Sequence, residues 1–176
     1  MGGCYLGDDG LRPIVASLAR VPRLRTLGLA HNGLGDGSIQ ALAEALSANP
    51  GRVLPALQRL WLFGNDISDE GVISLTKLFE AGELPRLAKL GLGANRIGDA
   101  GVQALARCGR TALGAVDTLG LRENPRISTA GVDALAVALE SGAFASLKTL
   151  WLPAAHEWHG GIAAACRERE VTLICA

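Results

Sequence analysis

The sequence predicts an α/β solenoid, a horseshoe arc with a parallel β-sheet on the concave face and α-helices on the convex face. Three observations predict it. The stretch LGLAHNGLGDGSIQALAEAL (27–46) returns as LWLFGNDISDEGVISLTKLF (60–79) and as LGLGANRIGDAGVQALARCG (90–109). The apolar residues that open each unit, Leu24, Leu57, Leu87, Val116 and Leu147, are 33, 30, 29 and 31 residues apart. The asparagines Asn32, Asn65, Asn95 and Asn124 keep the same register, at steps of 33, 30 and 29. A period near thirty carried by two independent markers is the signature of stacked structural repeats.

Each unit has two halves. The first reads LRTLGLAHN, LQRLWLFGN, LAKLGLGAN and VDTLGLREN. Leu27 and Leu29 alternate with Thr26, Gly28 and Ala30, and a period of two means a strand with one face buried. The chain then turns sharply, and backbone polar groups leave the ladder. An inward asparagine amide carries donors and an acceptor that can satisfy them, so Asn32, Asn65, Asn95 and Asn124 form an expected structural ladder. The second half opens on Asp36, Asp69, Asp99 or Thr129, residue types that cap a helix N-terminus. Apolar positions follow at helical spacing, as in Ile39, Leu42, Ala43 and Leu46. Pro22, Pro55 and Pro85 stop the helix before the next strand.

The L-x-x-L-x-L-x-x-N word and the I-x-D-x-G-V-x-x-L-A helix word resemble leucine-rich repeats, in particular the ribonuclease-inhibitor-like subtype with a full helix per repeat. Similar words occur in ribonuclease inhibitor, NOD-like receptors and the Ran GTPase-activating protein. The resemblance covers nearly the whole chain and implies one domain over residues 1–176. Its expected units are a partial first repeat (1–23), full repeats at 24–56, 57–86, 87–115 and 116–146, and a degenerate capping repeat at 147–176.

The ends depart from the pattern. CYLGDDGLRPIVASL aligns with NGLGDGSIQALAEAL, which puts Cys4 in the asparagine place, Leu6 on Leu34 and Asp8 on Asp36. Cysteine is the usual substitute for asparagine in the family that this chain resembles. No strand precedes the first helix, so the strand near Leu24 is an expected bare edge. That implies either missing upstream repeats or an edge that pairs with something, self-association included. In the last unit Ala155 replaces the asparagine, and a short strand is expected over Val171 to Cys175. Pro125 adds one residue between Asn124 and Thr129, which predicts a local bulge.

Composition narrows the function. The 176 residues are 49% hydrophobic and 4% aromatic, so the core is aliphatic. Seventeen basic and 17 acidic residues leave no surplus for nucleic acid or an anionic membrane. No apolar run approaches the ~20 residues of a membrane span. Cys4, Cys108, Cys166 and Cys175 have neither zinc spacing nor a disulfide-scaffold pattern, which reads as reduced thiols in a cytoplasmic protein.

Catalytic and cofactor chemistry find little support. HEWH (156–159) is one residue short of H-E-x-x-H, has no third ligand nearby in sequence, and puts His159 at a helix N-cap. Gly91 and Gly93 are outward strand positions, which does not make a phosphate loop. Cys108 has no base beside it. MGGC raises acylation of Gly2 and Cys4, but Leu6 stands where that motif wants Ser or Thr. No enzyme activity, metal or cofactor is expected.

Binding finds more. The outward strand columns are Thr26, Arg59, Lys89, Thr118, Thr149; Gly28, Trp61, Gly91, Gly120, Trp151; and Ala30, Phe63, Gly93, Arg122, Pro153. These columns vary while the core columns repeat. Trp61 and Phe63 share one strand face, with Trp151 three strands away, about 15 Å at ~4.8 Å per strand. With Arg59, Lys89 and Arg122 around glycines, this composition suits a protein-binding surface. The expectation is a non-catalytic interaction scaffold with a protein partner. A GTPase activator resembling the Ran activator, or a ligand-sensing fragment of a NOD-like receptor, are the alternatives that the resemblance implies.

Overall fold

The computed structural model describes residues 4–48, 54–156 and 159–176. Six strands form one parallel sheet in sequence order: β1 (Thr26–Gly28), β2 (Arg59–Trp61), β3 (Lys89–Gly91), β4 (Thr118–Gly120), β5 (Thr149–Leu152) and β6 (Thr172–Cys175). Helices α1 (Gly7–Ser17), α2 (Asp36–Ser47), α3 (Asp69–Glu80), α4 (Asp99–Cys108), α5 (Thr129–Glu140) and α6 (Gly160–Glu168) stack beside it, each packed on the next. The register is unbroken, so Thr26, Arg59, Lys89, Thr118, Thr149 and Thr172 form one row across the sheet.

The core lies between sheet and helices. Strands β1 to β5 each send two leucines inward, such as Leu60 and Leu62, and the helices send aliphatic pairs, such as Val72 and Leu75. All four are at most 1% exposed. No single unit could cover these side chains, so burial couples every repeat to its neighbours.

The turn after each of β1 to β4 has a left-handed residue at the same position: His31, Gly64, Ala94 and Glu123, with φ of 55°, 70°, 51° and 55°. The next residue is the asparagine, and it reaches back toward the preceding repeat. Asn65 Oδ1 accepts the backbone N–H of Asn32 (3.0 Å) and Leu34 (3.1 Å), while its Nδ2 donates to the carbonyls of Leu29 and Leu62. Asn95 and Asn124 accept the N–H of Ile67 and Ile97 in the same way. Asn32, Asn65, Asn95 and Asn124 are between 0% and 7% exposed. Cys4 corrects part of the expectation. Its backbone N–H donates to Asn32 Oδ1 at 3.2 Å, which fits the aligned register, but its side chain is exposed and forms no buried rung. Among the described residues no strand lies on its outer side.

A second correction concerns the helix starts. Asp36, Asp69, Asp99 and Thr129 are the first helical residues, not the caps; the N-caps are Gly35, Ser68, Gly98 and Ser128. The aspartates serve the next helix instead of their own. Asp36 Oδ1 accepts the N–H of Ser68 (2.8 Å) and Gly71 (3.0 Å). Asp69 does the same for Gly98 and Gly101, and Asp99 for Ser128 and Gly131. Asp8 starts this row by accepting from Gly35 N–H and the Ser38 hydroxyl. The approach is close: a Cβ on Gly71, Gly101 or Gly131 would stand 2.5, 2.7 or 2.6 Å from the facing carboxylate oxygen. This physical link joins the D and the G of the repeated D-x-G word across two repeats.

At the far end the pattern changes partners. Ile127 N–H bonds to the carbonyl of Asn124 in its own turn, where Pro125 adds the extra residue. His156, 6% exposed, places Nε2 at 3.0 Å from the Ile127 carbonyl; that acceptor puts the proton on Nε2. The final strand runs over Thr172–Cys175 and Arg169 Nη1 donates to the Leu139 carbonyl. At the near end β1 pairs only with β2 among the described residues.

Candidate functional site

The concave face is set by strand parity. With Leu60 and Leu62 turned inward, Arg59, Trp61 and Phe63 are turned outward, and the register places Trp61 beside Gly91 and Gly120 beside Trp151. Between the two tryptophans lies a concavity of about 290 Å³, lined by Trp61, Phe63, Gly91, Gly93, Thr118, Gly120, Arg122 and Trp151.

The floor exists because two residues lack side chains. The Trp61 ring leans across Gly91, where a Cβ would meet Cε3 at 2.5 Å, so the indole needs that glycine. Gly120 is open above: the nearest atoms to a Cβ there are backbone, at 3.7 Å and beyond. Trp61, Phe63 and Trp151 are each partly exposed. Phe63 is held by the edge of His31, with ring centroids 5.1 Å apart at 85°. Arg122 spans the other wall. Its stem covers Gly93, and its guanidinium lies 5.7 Å from the Trp151 ring centroid, a cation–π distance.

Of the residues singled out in the sequence, Trp61, Phe63, Arg122 and Trp151 come together in this concavity. Arg59 and Lys89 do not line it. Arg59 donates to Thr26 Oγ1, and Lys89 pairs with Asp117 at 3.4 Å. The outer part of the third column is less available than parity implies, since Ala30 and Pro153 are buried. Thr118, an expected outward position that was not among the candidate site residues, also lines the hollow, and the Trp61–Gly91 overlap escaped the sequence reading. The alternation of Trp and Gly along the second column was the visible signal for the overlap.

The other candidates are accounted for. His159 caps α6 by accepting Ile162 N–H on Nδ1 and faces Asp133 through Nε2 at 3.2 Å. His156 is taken up by Ile127. The described residues contain no cluster of His, Cys, Asp and Glu able to hold a metal. Burial pushes the Cys108 thiol up to about 12, with Glu80 adding to it, and the Cys166 thiol up to about 11, so neither is a ready nucleophile. Gly2 lies outside the described residues. No described helix is long and apolar enough to cross a membrane.

Comparison with known proteins agrees with this architecture. The leucine rich repeat family model matches residues 23–43, 54–75 and 87–106. A comparison with curated proteins finds no match. The unit with the extra Pro125 lies outside the family matches yet joins the sheet in the same register. Repeats of this family are in general protein-interaction modules. With three units that match by sequence and a parallel six-stranded sheet backed by one helix per repeat, the chain folds as an α/β solenoid of the leucine-rich-repeat type.

Proposed function

We propose that the protein is a non-catalytic interaction scaffold that holds a protein partner on its concave face, around Trp61, Phe63, Arg122 and Trp151. One observation carries this reading: two tryptophans flank a glycine floor on the outward side of a sheet whose stability comes from the inward side. Large aromatics beside an arginine in a partly desolvated hollow are the usual anchors of protein interfaces. Arg59 and Lys89 extend the same face along the first column and would meet the rim of the partner.

The helix in every repeat, nine to twelve residues long, supports the ribonuclease-inhibitor-like subtype. The buried thiols Cys108 and Cys166, together with cysteine spacings that suit no disulfide scaffold, support a reducing, intracellular setting.

The test is a comparative pull-down from the source organism, with wild type beside a Trp61→Ala, Phe63→Ala, Arg122→Ala variant shown to be folded by circular dichroism. A protein recovered by the wild type and lost with the variant is the expected result. Identical recoveries would remove the concave face from consideration.

A further inference from the structure

The hollow has a size, a charge and a spacing, and together they point to one kind of occupant. We propose that it takes an extended acidic segment of the partner, with one large apolar side chain between Trp61 and Trp151 and a carboxylate two residues away on Arg122. The proposal rests on the concave-face reading above and narrows it.

Size comes first. About 290 Å³ is at the lower limit of small-molecule pockets, which start near ~300 Å³. A hollow this small, open at the sheet surface and floored by Gly91 and Gly120, suits a single inserted side chain. Trp61, Phe63 and Trp151 give it a largely aromatic lining, so the inserted group is apolar.

Charge comes second. The whole chain is neutral, yet the three outward columns hold Arg59, Lys89 and Arg122 and no carboxylate. Two carboxylates reach this face from the strand margins. Asp117 engages Lys89 at 3.4 Å, and Glu123 engages Nε of Arg122 at 3.5 Å. Glu123 meets Arg122 from its own strand end, through Nε, and Arg59 donates to Thr26 Oγ1. A guanidinium laid on Trp151 is oriented and partly desolvated, which strengthens its pairing with an incoming carboxylate.

Spacing comes third. Gly120 and Arg122 are two residues apart, ~6.6 Å at the rise of a strand. Side chains on one face of an extended peptide repeat at that same interval. A segment lying along the strand direction therefore puts its apolar side chain over Gly120 and its residue i+2 over Arg122. The recognised word is apolar-x-Asp/Glu. A second acid at i−2 would lie over Thr118, beside Lys89, whose Nζ is 3.3 Å from Thr118 Oγ1.

A phage-displayed library of random twelve-residue peptides, selected on the full chain, tests this. The expected result is enrichment of apolar-x-Asp/Glu. Synthetic copies of the enriched peptides should lose about tenfold or more in affinity on Arg122→Glu, and comparably on Trp151→Ala. Circular dichroism verifies the fold of both variants. Enriched peptides that need Trp151 but carry no acid would overturn the acidic word and leave the concave-face reading standing. Enriched peptides insensitive to both variants would overturn both. No enrichment would overturn a linear segment as occupant, and the comparative pull-down would then decide the concave face by itself.

Discussion

Two ladders run along this solenoid, one of asparagines and one of aspartates, and they point in opposite directions. Asn65 reaches back to the N–H groups of Asn32 and Leu34, one repeat earlier. Asp36 reaches forward to the N–H groups of Ser68 and Gly71, one repeat later. The asparagines are buried, where an ion would be costly, and an amide supplies both donor and acceptor. The aspartates stand at the rim beside helix N-termini, where free N–H groups and the helix dipole favour a negative charge. Position in the cross-section therefore selects neutral or charged chemistry for the same task of tying one repeat to the next.

The largest expected effect comes from the buried ladder. Asn65→Ala strips partners from two N–H groups and two carbonyls, and should cost about 3 kcal/mol, at the upper end for unsatisfied buried groups. Thermal or urea unfolding measures it. Asp36→Ala, on the rim where water can replace the carboxylate, should cost about 1–2 kcal/mol. Equal losses would mean that burial does not separate the two ladders.

A glycine pair sharpens the comparison. Gly101→Ala drives a methyl into the Asp69 carboxylate, at 2.7 Å, and should destabilise by about 1–3 kcal/mol. Gly120→Ala meets only atoms at 3.7 Å and beyond and should stay within about 0.5 kcal/mol. If both behave alike, the Asp–Gly approach does not constrain the repeat.

The smallest effect separates charged from neutral rungs by pH. Burial alone would raise the pKa of Asp99. The Ser128 hydroxyl and the N–H groups of Ser128 and Gly131 outweigh it and hold the carboxyl below its usual range. A depressed folded pKa stabilises fully above the unfolded value, near ~4, and that stabilisation is lost as pH falls through the folded value. Asp99→Asn should therefore shrink the loss of melting temperature between about pH 5 and pH 3. Asn95→Ala lowers the curve at every pH without changing its acid limb. An unchanged acid limb in Asp99→Asn would count against a charged rung.

Trp61→Ala marks the boundary between folding and binding. The ring rests on Gly91 but is partly exposed, so its removal should cost about 1 kcal/mol, well below Asn65→Ala, while abolishing partner recovery. A loss as large as that of Asn65→Ala would make the ring a packing element.

Much of this was legible in the sequence because a repeat writes its local rules several times over. Period two placed Leu60 and Leu62 inward and Trp61 outward, and the constant step of the asparagines placed their turns. The period near thirty stacked the units, which is a consequence of apolar faces that no single unit can bury. Only the tertiary structure decided what meets across repeats. A D at a helix start reads as a cap for its own helix, and nothing local says that its carboxylate turns to a helix about thirty residues away. The same holds for Trp61 on Gly91, Arg122 on Trp151 and His156 on Ile127. Periodicity fixes which face a side chain occupies, whereas its rotamer and the repeat beside it fix what it touches.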